Sequence, residues 1–382
     1  MFSSRFHWDL RPNRLTELLR EKRGTGVPVL DLTESNPTHA ALSYPPEIAS
    51  TFARPAILRY EPAPAGSPEA RAAVAAYYAA RGAAVDAGRI LLTASTSEAY
   101  AYLFKLLCDP GDRALVPRPS YPLFEFLAGM ENVEVGQYPL VYHGEWSIDR
   151  EELERAITPR TRAIVLVNPN NPTGSYLKRS ELEFLQGLGL PLISDEVFSD
   201  YDFGPDPTRV PTLAAVPETG LSFSMSGLSK VAGLPQMKLG WIVVNGPAHL
   251  RRQAMERLEW IADTYLSVST PVQAAVGSLL EAGEAVQRQV RTRTAANLAA
   301  LRAVLAGSTA GVLAVEGGWY ATVQMPRIRP EEDWALDLLA RANVLVQPGF
   351  FYDFAAEPFL ILSLLTAAEV FGEGIRRLKD AL

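Results

Sequence analysis

The chain reads as an α/β protein: a large domain with a mostly parallel sheet covered by helices, plus a smaller α+β domain built from both termini. Three observations predict this. Seven short, nearly continuous apolar runs recur between residues 89 and 244, helical patterns lie between several of them, and after about residue 247 long amphipathic segments take over. Continuous apolar strands are those covered on both faces. Alternation of such strands with helices builds a largely parallel sheet.

In chain order, a helix is expected at about 13–23. A second runs from Pro68 to Arg81, with Ser67 as N-cap, Pro68 at the first helical position and Gly82 as the stop. RILLT (89–93) reads as a strand, followed by a helix from Glu98 to Cys108 that ends in the turn Asp109-Pro110-Gly111-Asp112. Further strands are expected at RALVP (113–117), VEVGQYP (133–139), RAIVLVN (162–168), PLISD (191–195), LSFSM (221–225) and GWIVV (240–244). Helices at roughly 247–262 and 271–306 then lead to apolar runs at 311–325, 344–349 and 359–365 and a last amphipathic helix over 367–382. The expected division is an N-terminal segment (1–44) packing with the small domain, a large domain (45–275) and a small C-terminal domain (276–382).

Bulk composition narrows the function classes. The 382 residues carry 36 Lys+Arg against 43 Asp+Glu, a net charge of −7 that argues against a nucleic-acid or anionic-membrane partner. The single cysteine, Cys108, allows no intrachain disulfide and fits a reducing, cytoplasmic compartment. His7, His39, His143 and His249 lie far apart without metal-ligand spacing, so no metal is expected. The first residues are polar and lack the apolar core of a signal peptide, and no apolar run is long enough to span a membrane.

Four elements carry the chemistry. Asn168-Pro169-Asn170-Asn171-Pro172-Thr173-Gly174 is a turn-rich loop directly after a predicted parallel strand, which puts the Asn171 amide where open sheets bind ligands. Asp195 ends the strand PLISD, where it either caps a turn or pairs with a protonated ring nitrogen. Ser226-Gly227-Leu228-Ser229-Lys230 follows an apolar strand, so Lys230 sits at the same sheet edge, where partial burial turns a lysine into an amine nucleophile and base. Ser95-Thr96-Ser97-Glu98 opens a helix, and a helix N-terminus with added hydroxyls is an anion site. Each element alone also has an ordinary reading as a turn, a cap or a surface lysine.

Taken together, these elements resemble the class I/II aminotransferases of the fold-type I pyridoxal-phosphate enzymes. The resemblance runs from about Leu32 to Gly349 and rests on NPNNPTG, then DEVF with its Asp 24 positions after Asn171, SGLSK with its Lys 35 further on, and PQMKLGW. It implies a PLP-dependent aminotransferase moving an amino group between an amino acid or related amine and a 2-oxo acid through a Lys230 aldimine. Asp195 then holds the pyridine nitrogen protonated, Asn171 bonds the ring 3′-oxygen, and Tyr121 stacks on the ring. Ser95, Thr96, Ser97 and Ser229 cradle the phosphate with Lys238, and Ser226 is a further candidate. Tyr60 matches a tyrosine that reaches the partner's phosphate in a homodimer with shared active sites. Asn36, with Asn171, lies where substrate is enclosed.

Three positions depart from the pattern. Phe198 stands where many relatives carry a tyrosine, which leaves Asn171 alone on the 3′-oxygen. Lys238 replaces an arginine, a point charge in place of a bidentate fork. Ile361 stands where an arginine two residues before a serine usually clamps the substrate α-carboxylate. Either another cation serves, with Arg5, Arg59, Arg118 and Lys178 as candidates by sequence location, or the substrate lacks an ordinary α-carboxylate. A lyase (β- or γ-elimination) or racemase on the same scaffold is the alternative reading. A cofactor-sensing regulatory module is the remote one, because about 30 residues before the matching region are too few for a DNA-binding domain.

Overall fold

The structure is a computed structural model that describes residues 3, 5, 8, 11–217, 219–356 and 358–382. His7 lies outside the described residues. The large sheet has eight strands: β1 (Ile90–Thr93), β2 (Arg113–Arg118), β3 (Glu134–Tyr142), β4 (Trp146–Ile148), β5 (Thr161–Val167), β6 (Leu192–Asp195), β7 (Ser222–Gly227) and β8 (Gly240–Asn245). Their spatial order is β1-β8-β7-β6-β5-β2-β3-β4. The four central pairs, β7–β6, β6–β5, β5–β2 and β2–β3, are parallel. β8 runs antiparallel to both β1 and β7, and β4 is an antiparallel edge on β3.

Helices cover both faces of this sheet, as its uninterrupted apolar strands require. On one face Leu91, Val116, Val165, Ile193, Phe223 and Ile242 pack under α3 (Thr96–Leu107) and α4 (Ala248–Asp263); α1 (Arg14–Gly24) and α2 (Pro68–Ala79) precede them in the chain. On the other face Ile90, Leu92, Trp241 and Val243 meet Ala70, Val74 and Tyr77 of α2 and the first turns of α5 (Thr270–Leu305). Burying one such leucine or valine contributes roughly 1.5–3 kcal/mol, so this double coverage dominates the stability of the unit.

A second sheet of four antiparallel strands, β9 (Gly311–Val312), β10 (Tyr320–Gln324), β11 (Gln347–Pro348) and β12 (Phe359–Ser363), is ordered β9-β10-β12-β11. One of its faces (Ala321, Val323, Leu360, Leu362) buries against Leu298, Leu301 and Leu305 of α5 and Phe371, Ile375 and Leu378 of α6 (Ala368–Asp380). Leu15 of α1 and Leu32 join that core, and Leu30–Asp31 pairs in parallel with Val344–Leu345. Both termini therefore build the small unit.

The large-sheet strands fall within a few residues of the sequence expectation, and so do the six labelled helices. The short strand β4 and the helices Phe124–Met130, Arg150–Ala156, Arg179–Gly187 and Glu331–Asp337 had no separate expectation, being too brief to show a period. The apolar run 311–325 contains two strands, β9 and β10, separated where its middle turns outward to bond the large domain. Gly317 N–H donates to Gly174 O (3.0 Å), Gly318 N–H to Tyr201 O (2.8 Å), and Phe203 N–H to Glu316 O (2.9 Å). The helix after β1 begins at Thr96, two residues early, because Ser95 Oγ accepts from Glu98 N–H (3.2 Å) and takes the N-cap position.

Gly174 shows how tight this junction is. Its φ is +72°, and a Cβ there would lie 2.5 Å from Gly317 O and 2.6 Å from Val315 Cγ1. Gly174→Ala should lower unfolding stability by about 1–3 kcal/mol, from the left-handed backbone and the clash together. A shift in the urea unfolding midpoint checks this, and an unchanged midpoint contradicts it.

Candidate active site

The carboxyl ends of β1, β5, β6 and β7 point to one edge of the sheet, and the loops that leave them converge there. This is the position at which open parallel sheets present ligand-binding groups. They line a cavity of about 290 Å³ that collects Ser95, Thr96, Ser97, Tyr121, Asn171, Asp195, Ser229, Lys230 and Lys238. All nine come from sequence positions singled out beforehand. Seventy-six residues separate Ser95 from Asn171 along the chain; the sheet, not the local sequence, brings them together.

At the centre stand two half-buried side chains, one acidic and one basic. Burial pushes the Asp195 carboxyl up to about 6; the Val197 N–H (3.3 Å to Oδ1), the Tyr100 hydroxyl (3.3 Å to Oδ2) and Lys230 pull it back down. Burial brings the Lys230 amine down to about 8, against the opposing pull of Asp195. Lys230 Nζ lies 4.7 Å from the centroid of the Trp319 ring and 5.6 Å from that of Phe198, a setting that supports a cation and also excludes water.

The backbone that carries Lys230 is held from three directions. Tyr201 Oη donates to Lys230 O (2.5 Å), Gln287 Nε2 of α5 to Val231 O (3.0 Å), and Tyr44 Oη to Gly233 O (2.7 Å). Asn171 is buried, and its Oδ1 has no hydrogen-bond partner among the described residues, so its amide has capacity left for a ligand. Tyr121 is 39% exposed and presents its ring at the cavity.

The anion end lies at the start of α3. The Ser95 hydroxyl serves the N-cap, so the hydroxyls of Thr96 and Ser97 and the first-turn amides face the cavity. Lys238 joins them in a left-handed backbone conformation (φ 50°). The close approach needs two glycines paired across β7 and β8. A Cβ on Gly227 would sit 3.0 Å from Gly240 Cα, and one on Gly240 would sit 3.2 Å from Ser95 C. Ser226 Oγ is buried on its strand and is not part of the cavity lining.

Other candidates fall outside. Asn36 Oδ1 accepts from Thr38 N–H (3.0 Å) and Thr38 Oγ1 (2.8 Å), and its neighbour Ser35 lines the cavity instead. Tyr60 is 72% exposed and borders a separate groove with Leu266. Arg5, Arg59, Arg118 and Lys178 do not line the cavity. Lys178 is paired with Glu316 and with Asp206 (3.4 Å), Arg118 Nε donates to Asp353 O (2.8 Å), and Arg5 Nη1 to Met130 O (2.9 Å). Ile361 is buried in one apolar cluster with Phe198, Trp319 and Tyr320.

Sequence reasoning missed Tyr100, Tyr201, Trp319, Tyr320 and Gln287. Tyr100, Trp319, Tyr320 and Gln287 sit in apolar or helical stretches where the residue reads as core, Tyr201 sits in a polar turn, and only the assembled fold shows what each polar atom touches. The DEVFSDY run, adjacent to a singled-out motif, held the one available signal for Tyr201.

The sequence matches the profile of the family described as aminotransferase class I and II over residues 27–370. It is 30% identical over 280 residues to the glutamate-pyruvate aminotransferase AlaA of Escherichia coli strain K12, covering 72% of this chain and 68% of that protein. It is 30% identical over 380 residues to the aspartate/prephenate aminotransferase of Thermus thermophilus, covering 95% and 93%. The structure superposes on a double mutant of Thermus thermophilus aspartate aminotransferase with a TM-score of 0.85 at 26% identity, over 100% of both chains. For the Pyrococcus furiosus alanine aminotransferase the TM-score is 0.87 at 23% identity, over 100% and 99%, a likeness of fold.

The coupling of the central pair is measurable. Asp195 raises the pKa of Lys230, so Asp195→Asn should move the titration of that amine below about 8. The pH dependence of Lys230 acylation, followed by peptide mass spectrometry, reads this directly; an unchanged or rising midpoint contradicts the coupling.

Proposed function

Because this chain belongs to the class I and II aminotransferases, we propose that its cavity holds pyridoxal 5′-phosphate on Lys230 and moves an amino group between an amino acid or related amine and a 2-oxo acid. The observation that carries the reading is the half-buried Asp195–Lys230 pair in one cavity with the Thr96–Ser97 helix start. The residues fit the group: an anion site at one end, an acid for a ring nitrogen in the middle, a buried amide in Asn171 whose Oδ1 has no partner among the described residues, and an amine of lowered pKa.

When bound, the cofactor supplies an electron-withdrawing ring joined to the carbon that accepts and returns the amino nitrogen. The chain's own residues do the rest. Thr96, Ser97, Ser229 and Lys238 take the phosphate and fix the position of the ring. Asp195, whose carboxylate Val197 and Tyr100 help to keep ionised, holds a proton on the ring nitrogen. Asn171 bonds the phenolic oxygen, with Phe198 adding no donor. Tyr121 covers the ring. Lys230 Nζ, neutral over a large fraction near pH 8, would take the proton from the donor's reacting carbon and hold it for return. Tyr201, Gln287 and Tyr44 keep the lysine loop in place during that transfer.

The same reading makes the protein a homodimer with shared active sites. Leu58 (86% exposed), Tyr60 (72%), Leu266 (64%) and Tyr265 (45%) put large apolar side chains on the surface, and Tyr60 and Leu266 border one groove. A second subunit would cover them and bring Tyr60 to its neighbour's phosphate. No helix among the described residues is long and apolar enough to cross a membrane. We place the enzyme in the cytoplasm on the grounds of its single cysteine and its acidic charge.

Two measurements test this reading. Visible spectra recorded while donors and then 2-oxo acids are added should show the cofactor band lost and restored. Lys230→Ala should abolish the band and lower turnover by about 10²–10⁴-fold. A band that donors never alter sinks amino transfer. Separately, Leu58→Asp with Leu266→Asp should yield a monomer with weakened cofactor binding in sedimentation and spectral titration, and an unchanged dimer contradicts the interface.

A further inference from the structure

The wall of the cavity beside Lys230 has a chemical character of its own. Among the described residues the cations that line it are Lys230 and Lys238. The first is the reactive amine and the second stands at the anion end, next to the Gly240–Ser95 contact. The wall between them includes Phe198 and, from the small sheet, Tyr320, with Ile361 packed behind them. Register pairs Tyr320 with Ser363 and Thr322 with Ile361, so these four side chains share one sheet face. Ile361 is 1% exposed and packs in one apolar cluster with Tyr320, Trp319 and Phe198. Tyr320 is hydrogen-bonded to Ser35, and burial pushes its hydroxyl up to about 12, so it stays neutral.

A carboxylate brought against this wall would lose its water and meet neutral donors and hydrocarbon, with the Asp195 carboxylate in the same cavity. An unpaired buried anion is costly, whereas an apolar group gains from the same surface. We propose that the donor this site is built for is an amine whose reacting carbon carries hydrogen and uncharged apolar groups, aromatic or aliphatic, and no carboxylate. This rests on the amino-transfer reading above. In the balanced step the donor loses the proton on that carbon and its amino nitrogen, and is oxidised by two electrons to an aldehyde or ketone whose oxygen comes from water. The nitrogen and the two electrons pass in the return half to a carbonyl acceptor, which is reduced to an amine and releases its oxygen as water. A 2-oxo acid in that return half meets the same wall, is held by neutral donors alone, and saturates the enzyme only at high concentration.

The test compares probes that differ by the carboxylate alone, on the holoenzyme. 2-Phenylethylamine should convert the cofactor band with kcat/KM about tenfold or more above that of phenylalanine. By calorimetry, hydrocinnamyl alcohol should bind more tightly than hydrocinnamate. Ile361→Arg should reverse both preferences. The wild-type comparison stands by itself if that variant does not fold. Phenylalanine preferred over the amine, with hydrocinnamate the tighter ligand, overturns the proposal and leaves amino transfer intact; such a result points to a cation from a second subunit. If no amine or amino acid converts the band, amino transfer fails, and the binding pair still decides the charge preference of the wall.

Discussion

The structure is organised around one electrostatic constraint: an amine and a carboxylate half-buried in the same cavity, each driven toward its neutral form by burial and held back by the other. Burial moves the Lys230 amine down to about 8 against the pull of Asp195, and the Asp195 carboxyl up to about 6 against the Val197 N–H, the Tyr100 hydroxyl and Lys230. The parallel core of the sheet exists to supply this juxtaposition, since adjacent parallel strands bring their carboxyl ends, and therefore β6 and β7, to one edge.

The junction between the large and small sheets is the second condition. The Asn171 loop closes on itself, Asn170 N–H donating to Ser175 O and Gly174 N–H to Asn170 O (2.8 Å each), and the turn at Glu316–Gly318 docks onto it, with Gly174 O accepting from Glu316 N–H (3.2 Å) and Gly317 N–H (3.0 Å). Glu316 also pairs with Lys178 and with Arg209 (3.0 Å), and its Oε2 accepts from Tyr176 N–H (2.8 Å). A half-buried cluster of this kind adds directional specificity more than net stability. It fixes the loop that presents Asn171 and also the strand that presents Trp319 and Tyr320.

The sequence was most readable where one physical signal dominates. Uninterrupted apolar strands identified the sheet, and turn chemistry at Ser67-Pro68 and at Gly82 located α2. Asn171, Asp195, Lys230 and the Ser95–Ser97 run were legible because each lies at or just beyond the carboxyl end of a predicted strand, whereas Tyr121, Ser229 and Lys238 were legible only through the family resemblance. Legibility failed wherever the role depends on a distant partner. Nothing local in GGWY distinguishes Trp319 from any other buried aromatic; its meaning comes from Lys230, 89 positions earlier. Gln287 lies on a long helix in a run of residues that favour helices anyway, and Tyr201 sits in a polar turn. The apolar run over 311–325 gave no boundary within it for a related reason, because the backbone bonds that divide it into two strands go to distant residues.

Helix α5 has a mechanical consequence. At 36 residues it is about 54 Å long, and it belongs to both halves of the molecule. Its first turns lie under the large sheet (Ala275, Val276, Leu279), and its last carry the small-domain core (Leu298, Leu301, Leu305). Between them Gln287 holds Val231 O and Asp200 Oδ2 (2.8 Å). The helix is therefore a rod with a load at one end and the lysine loop hung from its middle. Any torque the small domain receives arrives at the peptide next to the reactive amine as displacement, with no relay of side-chain rearrangements in between.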